Sequence, residues 1–371
     1  MSAPSTTGPG GPVLIIGAGL LGASVGLGLQ HLGVETWLRD SSPTAEAVGA
    51  DIGAGRSERA ARQTGETIPE PSLIVVSTPP DVVVETAARA LADHPAAIVT
   101  DVASVKGAIQ DGLRERGADL RRYVGSHPMA GRERSGPVAA RGELFTSMPW
   151  VVCAAPETDP AAVRRVRTLA QDLGAHVTEL AADEHDAAVA LISHIPQVMS
   201  SLLASRLQDT PLHHLSLAGQ GLRDTTRIAA SDPGLWVQIL SANAASIAPS
   251  LRGVRDDLDR LIATLEDPTG PGSRLDMAEL ISEGNAGQAR IPGKHGGAPK
   301  AFAQLTVLVD DRPGTLGELF TAVGETGINL EDLRLEHSVG RRVGLAEISV
   351  DPNRRDELVE ALEQRGWKVV Q

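Results

Sequence analysis

Residues 13–22 read VLIIGAGLLG: four apolar residues are followed at once by the pattern Gly-x-Gly-x-x-Gly. Between a strand and a helix, the first glycine of this pattern permits a tight turn and the second lets the backbone approach a pyrophosphate. The third glycine lets the helix pack on the strand, and the helix N-terminus faces the phosphate charge. The stretch therefore predicts a dinucleotide site whose contacts are Gly17, Gly19, Leu20, Leu21 and Gly22.

A second apolar run, residues 34–38, leads to Asp40, which follows Gly22 by 18 residues. A carboxylate at this place accepts hydrogen bonds from the ribose hydroxyls of NAD and repels the 2′-phosphate of NADP, so we expect NAD as the cofactor. Arg39 stands beside Asp40 and could hold a 2′-phosphate, which leaves NADP open as the less favoured cofactor.

Further apolar runs alternate with Ala-rich segments as far as about residue 180. These runs lie at 72–76, 96–99, 122–125 and 149–154. Such alternation is typical of an α/β fold with a doubly wound parallel sheet that is buried on both faces. We expect a Rossmann-type domain over residues 12–180, preceded by a disordered tail at 1–11.

The composition narrows the class of protein. The 371 residues suffice for two or three domains. Lys and Arg number 34 against 47 Asp and Glu, and the net charge of −13 excludes an overall basic footprint for nucleic acid. The single cysteine, Cys153, excludes an intrachain disulfide and a cysteine-rich zinc module. We find neither a signal peptide nor a membrane span, so the sequence predicts a cytoplasmic protein without a membrane partner.

From Asp183 onward the pattern is helical only, and we expect an all-α dimerisation domain at 181–283. Within it, Asp232-Pro233 is typical of a helix start, and one long helix is predicted from there to about Leu265. A Gly-rich, basic linker is predicted at 284–300. Residues 301–371 carry a β-α-β-β-α pattern with a final strand, which predicts a small ferredoxin-like α+β domain.

Polar residues follow three of the predicted strands of the parallel sheet. They are Thr78-Pro79, Asp101 with Ser104, and Ser126-His127. Ligands of such sheets bind at the carboxyl ends of the strands, so we expect Thr78, Pro79 and Asp101 to contact the cofactor. His127 suits a general base because its reference pKa is about 6.5, and Ser104 could hydrogen-bond it or the substrate. A buried structural imidazole is the alternative interpretation of His127.

Residues 126–131 (SHPMAG), with Glu133 and Ser135-Gly136 after them, resemble the signature of prephenate dehydrogenases of tyrosine biosynthesis. The resemblance covers nearly all of residues 12–265. It continues in Asp101…Ser104-Val105-Lys106, Glu184-His185-Asp186, Ser193-His194-Ile195-Pro196, Gly221-Leu222-Arg223-Asp224…Thr226-Arg227-Ile228-Ala229 and Trp236.

The resemblance implies a definite chemistry. NAD removes a hydride from the ring carbon that bears the substrate's hydroxyl, His127 takes the hydroxyl proton, Ser104 orients it, and loss of carbon dioxide gives the aromatic ring. Arg227 would bind the ring carboxylate, and Glu133 would gate the cleft. The other residues that the resemblance places around the substrate are His194, Ser193, Gln197, Ser126 and Trp236.

Gln197 departs from the pattern of some relatives, which carry a histidine at this place, near the side chain of the substrate. A neutral amide tolerates either a keto acid or an amino acid. Arogenate, the aminated relative of prephenate, therefore stays open as the alternative substrate.

Other classes of site fit the residues less well. No metal is expected, because Asp183, His185, Asp186 and His194 do not have the spacing of ligands on one helix face. Lys106 could act as the catalytic lysine of a hydroxyacid-type dehydrogenase, although those enzymes place it on a helix beyond the Rossmann unit. A non-catalytic sensor of NAD and an amino acid would need no base at the cleft.

Residues 310–319 (DDRPGTLGEL) and the later string GINL at 327–330 resemble an ACT domain over residues 301–371. The resemblance implies that amino acids bind at an interface between two such domains. We expect tyrosine as the effector and a homodimer as the assembly; a dimerisation module without ligand is the alternative. The expected contacts are Asp311, Gly314, Asn329 and Leu330.

Overall fold

The structure, a computed structural model, describes residues 10–131, 136–292, 302–337 and 343–370. The chain divides into two compact units. One unit consists of Met1–Ser205 and Thr226–Val254, and the other of Arg206–Thr225 and Arg255–Gln371.

The first unit is built on a sheet of eight strands in the order β3-β2-β1-β4-β5-β6-β7-β8. All neighbouring strands are parallel except β6 and β7, which are antiparallel. The predicted Rossmann-type sheet is confirmed, with this one reversed pair added. The strands are β1 Val13–Ile16, β2 Thr36–Arg39, β3 Arg56–Ser57, β4 Leu73–Val76, β5 Ile98–Asp101, β6 Tyr123–Pro128, β7 Pro149–Ala154 and β8 His176–Glu179.

Helices cover both faces of this sheet. Val13 and Ile15 of β1 belong to one apolar cluster, and Leu14 and Ile16 belong to another, because successive side chains of a strand point to opposite faces. This burial on both sides explains the uninterrupted apolar runs in the sequence. The helices are α1 Leu20–His31, α2 Pro43–Asp51, α3 Glu58–Thr64, α4 Pro80–Asp93, α5 Gly107–Glu115 and α6 Pro160–Asp172.

The segment after β8 is helical, as the sequence predicts. One turn, Ala190–His194, is a π-helix inserted between α7 and α8, and such turns are frequent at functional sites. His213 and His214 form part of a short helix. The helices are α7 Ala182–Val189, α8 Ile195–Ser205, α9 Leu212–Leu215, α10 Gln220–Thr226, α11 Pro233–Ala242, α12 Ala244–Glu266 and α13 Ser273–Gln288.

The prediction of one long helix from residue 233 to about Leu265 is wrong. The helix breaks at Asn243, which ends α11 with φ −111° and ψ 21°. The Asn243 side chain is buried at this break and donates to the carbonyl oxygen of Asp186 at 2.8 Å. In addition, α13 reaches Gln288 and therefore enters the predicted linker, whose residues 293–300 lie outside the described chain.

Within the described residues, one helical stretch, Ala182–Ser205, has the length and apolar composition of a membrane span. A helix in the core of a globular protein satisfies the same two criteria. This stretch also carries several of the buried polar side chains described below.

The C-terminal part of the second unit is a ferredoxin-like α+β fold, as predicted. Its four antiparallel strands follow the order β10-β11-β9-β12. The elements are β9 Ala303–Asp310, α14 Thr315–Gly324, β10 Asp332–His337, β11 Val343–Val350, α15 Arg355–Gln364 and β12 Lys368–Val370.

Candidate active site

The glycine turn between β1 and α1 leaves room for a ligand. Gly17 has φ +104°, and a methyl group on it would lie 2.3 Å from the carbonyl oxygen of Ser77. A methyl group on Gly22 would lie 1.9 Å from the carbonyl oxygen of Gly17, whereas one on Gly19 would meet nothing within 4 Å. The turn is therefore packed tightly beneath Gly17 and Gly22 and open above Gly19, as a bound pyrophosphate requires.

Two further features at this edge suit a dinucleotide. Asp40 Oδ2 accepts the backbone N–H of Ala18 at 2.6 Å, so the carboxylate that is predicted to bind the ribose lies against the glycine turn. The hydroxyl of Thr78 is buried and has no hydrogen-bond partner among the described residues. An orphaned hydroxyl beside an open glycine turn is consistent with a polar ligand at this place.

Asp101 and Ser126 do not face the cleft, contrary to the predicted contacts with cofactor and substrate. Asp101 is 0% exposed; its carboxylate accepts hydrogen bonds from the Lys106 ammonium and from the Tyr123 hydroxyl. Ser126 is also 0% exposed, and its hydroxyl donates to the carbonyl oxygen of Asp101 at 2.7 Å. Because side chains alternate along β6, Ser126 points into the sheet core while His127 points to the other face.

His127 stands in a chain of three polar side chains. Its Nδ1 lies 2.9 Å from Nε2 of His185, and Nδ1 of His185 lies 2.8 Å from Oδ1 of Asp186. The Asp186 carboxylate also accepts the backbone N–H groups of Lys106 and Gly107, each at 2.8 Å. The start of α7 is thus joined to both β6 and the start of α5.

The surroundings of His127 favour its neutral form. Its pKa is well below the usual 6.5, because burial disfavours the charged ring and the Lys106 ammonium adds positive charge nearby. Burial alone would raise the pKa of Asp186, but hydrogen bonds from His185, Gly107 and Lys106 outweigh it and lower that pKa.

The ionised Asp186 fixes the tautomers of both rings. A carboxylate only accepts hydrogen bonds, so Nδ1 of His185 carries the proton and Nε2 of the neutral ring is an acceptor. Nδ1–H of His127 then donates to it, which leaves Nε2 of His127 with its lone pair free to accept a proton. This arrangement is that of an oriented general base.

Two further buried polar side chains, Asn243 and His194, lie beside Asp186. The Nδ2 group of Asn243 donates to the Asp186 carbonyl oxygen and also lies 3.2 Å from Nδ1 of His194, which therefore acts as an acceptor and keeps its proton on Nε2. The His194 ring is 1% exposed and meets Trp236 edge to face, with centroids 6.1 Å apart. Burial lowers the pKa of His194.

Gln197 lies between two hydroxyl groups. Its Nε2 group donates to Ser201 Oγ at 3.4 Å, and its Oε1 lies 3.3 Å from Ser231 Oγ, whose proton is shared with the Ile228 carbonyl oxygen at 2.5 Å. Ser231 follows the turn that contains Arg227, so this pair of contacts joins that turn to α8.

The next residues to place are Arg227, Ser193, Ser104 and Glu133, which the sequence also predicted to act at the site. Arg227 is exposed, and no described residue forms an ion pair with it; Ser193 is half-buried in the π-helical turn. Ser104 is half-buried but, within the described chain, makes no hydrogen bond to His127. Glu133 lies outside the described residues. The partner of His127 is instead His185, which was given no role in the site from the sequence.

An open glycine turn, a carboxylate at the end of β2 and a neutral, oriented imidazole at the same sheet edge define a dinucleotide-dependent dehydrogenase. Comparison with known families agrees. The model described as the prephenate dehydrogenase nucleotide-binding domain matches residues 25–179, the prephenate dehydrogenase dimerization domain matches 181–280, and the ACT domain matches 303–366.

Individual relatives support the same family. The chain is 35% identical over 361 residues to the probable prephenate dehydrogenase NovF of Streptomyces niveus, which covers 95% of this chain and 98% of that one. The prephenate dehydrogenase of A. aeolicus, solved with hydroxyphenyl propionate and NAD+, has a TM-score of 0.66 at 25% identity and covers 76% of this chain and 98% of its own. The arogenate dehydrogenase of Synechocystis has a TM-score of 0.61 at 27% identity, covering 75% and 98%. The chain belongs to the prephenate dehydrogenase family and carries a C-terminal ACT domain.

Proposed function

We propose that this protein oxidises and decarboxylates prephenate to 4-hydroxyphenylpyruvate, with NAD as the cofactor. The observation that carries the proposal is the series of contacts from His127 through His185 to Asp186, which leaves the lone pair on Nε2 of a neutral His127 free to accept a proton. Nε2 of His127 is the atom that would receive the proton of the substrate hydroxyl. When bound at the glycine turn, NAD supplies the hydride acceptor.

The chain's own residues would perform the remaining tasks. Asp186 and His185 keep the proton on Nδ1 of His127 before the reaction, and they stabilise the imidazolium formed when Nε2 takes up the hydroxyl proton. Arg227 would bind the ring carboxylate through both oxygens until carbon dioxide leaves. Nε2–H of His194 is a donor placed beside Trp236, where it would hold a polar group of the substrate.

Arogenate is the second candidate substrate, and Gln197 is the observation that favours it. Its amide is neutral, so this position has no charge that selects a keto acid over an amino acid. The similarity to the arogenate dehydrogenase of Synechocystis is consistent with this candidate.

One assay tests the proposal and its alternative. NADH formation is followed with prephenate and with arogenate, and NADPH formation is followed in parallel with NADP. We expect the highest kcat/KM with prephenate and NAD. A higher value with arogenate would favour the second candidate, and no reduced cofactor from either substrate would reject both in favour of a non-catalytic sensor.

We also propose a cytoplasmic homodimer with tyrosine as the effector of the ACT domain. Support for the dimer comes from apolar side chains of the helical segment that stay exposed in the single chain. They include Leu191 at 63%, Ile192 at 63% and Leu202 at 55% exposure, and faces of this kind are usually covered by a partner. Support for the effector site comes from Gly314 in the turn before α14; this glycine is exposed, has φ +96° and has nothing within 4 Å of an added methyl group.

A further inference from the structure

The carboxyl end of β2 carries a cluster of charged side chains, which we call the ribose corner: Arg39, Asp40, Glu46, Glu58 and Arg59. Asp40 is fixed at the centre, because Oδ2 accepts Ala18 N–H at 2.6 Å and Oδ1 accepts Ser42 N–H at 2.7 Å. Two guanidinium groups next to a ribose site would normally attract the 2′-phosphate of NADP.

The first guanidinium, that of Arg39, is held by a carboxylate through two of its five N–H donors. Nε of Arg39 donates to Oε2 of Glu58 at 2.6 Å and Nη2 donates to Oε1 at 3.0 Å, which is a two-pronged ion pair. The Glu58 side chain is 6% exposed, and among the described residues one other cation, Arg62, pairs with it at 3.8 Å and is 67% exposed. A nearly buried carboxylate is costly without its partner, so Glu58 holds Arg39 firmly.

The second guanidinium is held less tightly but in the same manner. Nη2 of Arg59 donates to the backbone carbonyl oxygen of Asp40 at 3.0 Å, and Nε lies 3.6 Å from Oε2 of Glu46. The Glu46 side chain is 2% exposed and also accepts hydrogen bonds from the backbone N–H groups of Asp40 and Arg59. Glu46 therefore fixes both the loop after β2 and the charge beside it.

We propose that Glu46 and Glu58 determine the cofactor selectivity of this chain by keeping the guanidinium groups of Arg59 and Arg39 away from a 2′-phosphate. Asp40 repels that phosphate. The two buried glutamates bind the guanidinium groups of Arg39 and Arg59, which would otherwise compensate for the repulsion. The proposal rests on the cofactor assigned above and is independent of which ring compound is oxidised, since it concerns nucleotide binding alone.

The test is nucleotide binding by calorimetry, with ADP and 2′,5′-ADP as probes, on the full chain. For the wild type we expect a weaker affinity for 2′,5′-ADP than for ADP. Glu58→Gln should release Arg39 and lower the Kd for 2′,5′-ADP by about tenfold, the effect of one charge-assisted contact, with the Kd for ADP changed less than twofold. Adding Arg39→Gln to this variant should return the Kd for 2′,5′-ADP to its wild-type value.

Glu66→Gln is the matched control, because Glu66 pairs with Arg56 on the same β3–α3 segment outside the ribose corner. It should leave the ratio of the two dissociation constants unchanged.

If Glu58→Gln does not fold, Glu58→Asp, which is too short to make both hydrogen bonds, should shift the ratio in the same direction. A folded Glu58 variant with the wild-type ratio, or a wild type that binds both probes equally well, would overturn the proposal. Loss of dehydrogenase activity with an intact binding difference would overturn the assigned reaction instead.

Discussion

Nδ1 of His127, on β6, lies 2.9 Å from Nε2 of His185, on α7, and the two residues are 58 positions apart in the sequence. Their rings meet edge to face, with centroids 5.1 Å apart and planes inclined by 78°. This contact ties the proposed base to a second ring, which is tied in turn to the Asp186 carboxylate. The predictions about proton transfer follow from it.

Replacing His127 by Asn should lower kcat by about 10²- to 10⁴-fold, since a general base contributes that much. The affinity for NAD should stay close to that of the wild type, because the glycine turn and Asp40 do not involve His127. Stopped-flow turnover and calorimetric NAD binding measure the two effects. His214→Asn, on the exposed face of α9, is the matched control, and near-normal turnover of the His127 variant would exclude it as the base.

The pH dependence should report the low pKa of His127. Only the neutral ring can accept a proton, so kcat/KM should stay level through neutral pH and fall as the pH decreases through a value well below 6.5. His185→Leu removes the acceptor of Nδ1–H, so kcat should decrease about tenfold or more.

His185→Gln restores the two hydrogen bonds without the second ring. Glutamine can accept from Nδ1–H of His127 and donate to Asp186, so it should recover much of kcat. Equal losses of kcat in the Leu and Gln variants would mean that His185 does not orient the base through its hydrogen bonds.

Arg227→Ala should mainly raise the KM for the substrate, by about tenfold or more, because a guanidinium–carboxylate pair would be lost. The NAD affinity should not change. Steady-state kinetics at saturating NAD measure this effect, and Arg252→Ala, an exposed arginine of α12, serves as the control. An unchanged KM would count against the carboxylate role of Arg227.

Asn243 connects the two buried histidine groups, so Asn243→Ala should weaken both stability and substrate binding. Loss of the donor to the Asp186 carbonyl and to His194 should cost about 1–3 kcal/mol of the free energy of unfolding. KM should rise more than kcat falls, since His194 would lose its orientation while His127 keeps its partner. Asn285→Ala, exposed on α13, should change neither the denaturant midpoint nor KM.

The sequence predicted those parts of the molecule that depend on local pattern. Apolar runs buried on both faces indicated β1, β4 and β5, and the glycine spacing indicated the turn above which Gly19 lies open. The polar contacts of the site were harder to predict, because they join residues far apart in sequence: Asn243 and Asp186 are separated by 57 positions. No periodicity distinguishes such an asparagine from any other in a long helix.

The predicted strand that leads to His127 also ended too early. His127 was expected after the end of its strand, but β6 continues to Pro128 because β7 pairs with it in the antiparallel sense and places Val151 opposite His127. Alternation along the longer strand then buries Ser126 and turns His127 toward α7. The side of the sheet that each residue faces was therefore fixed by a pairing that the apolar pattern does not encode.

Tyrosine should inhibit the enzyme through the ACT domain and independently of the catalytic site. Asn329 is exposed and its amide contacts only Glu331 at 2.9 Å among the hydrogen bonds of the described chain, so Asn329→Ala should leave the fold and kcat unchanged. It should raise the tyrosine concentration for half inhibition by about tenfold, the effect of losing one or two hydrogen bonds to a charged ligand. Asn353→Ala, exposed in the turn before α15, is the control.

A chain that ends at residue 292 should be insensitive to tyrosine. Inhibition that persists in this shorter chain and competes with prephenate would place tyrosine at the catalytic site.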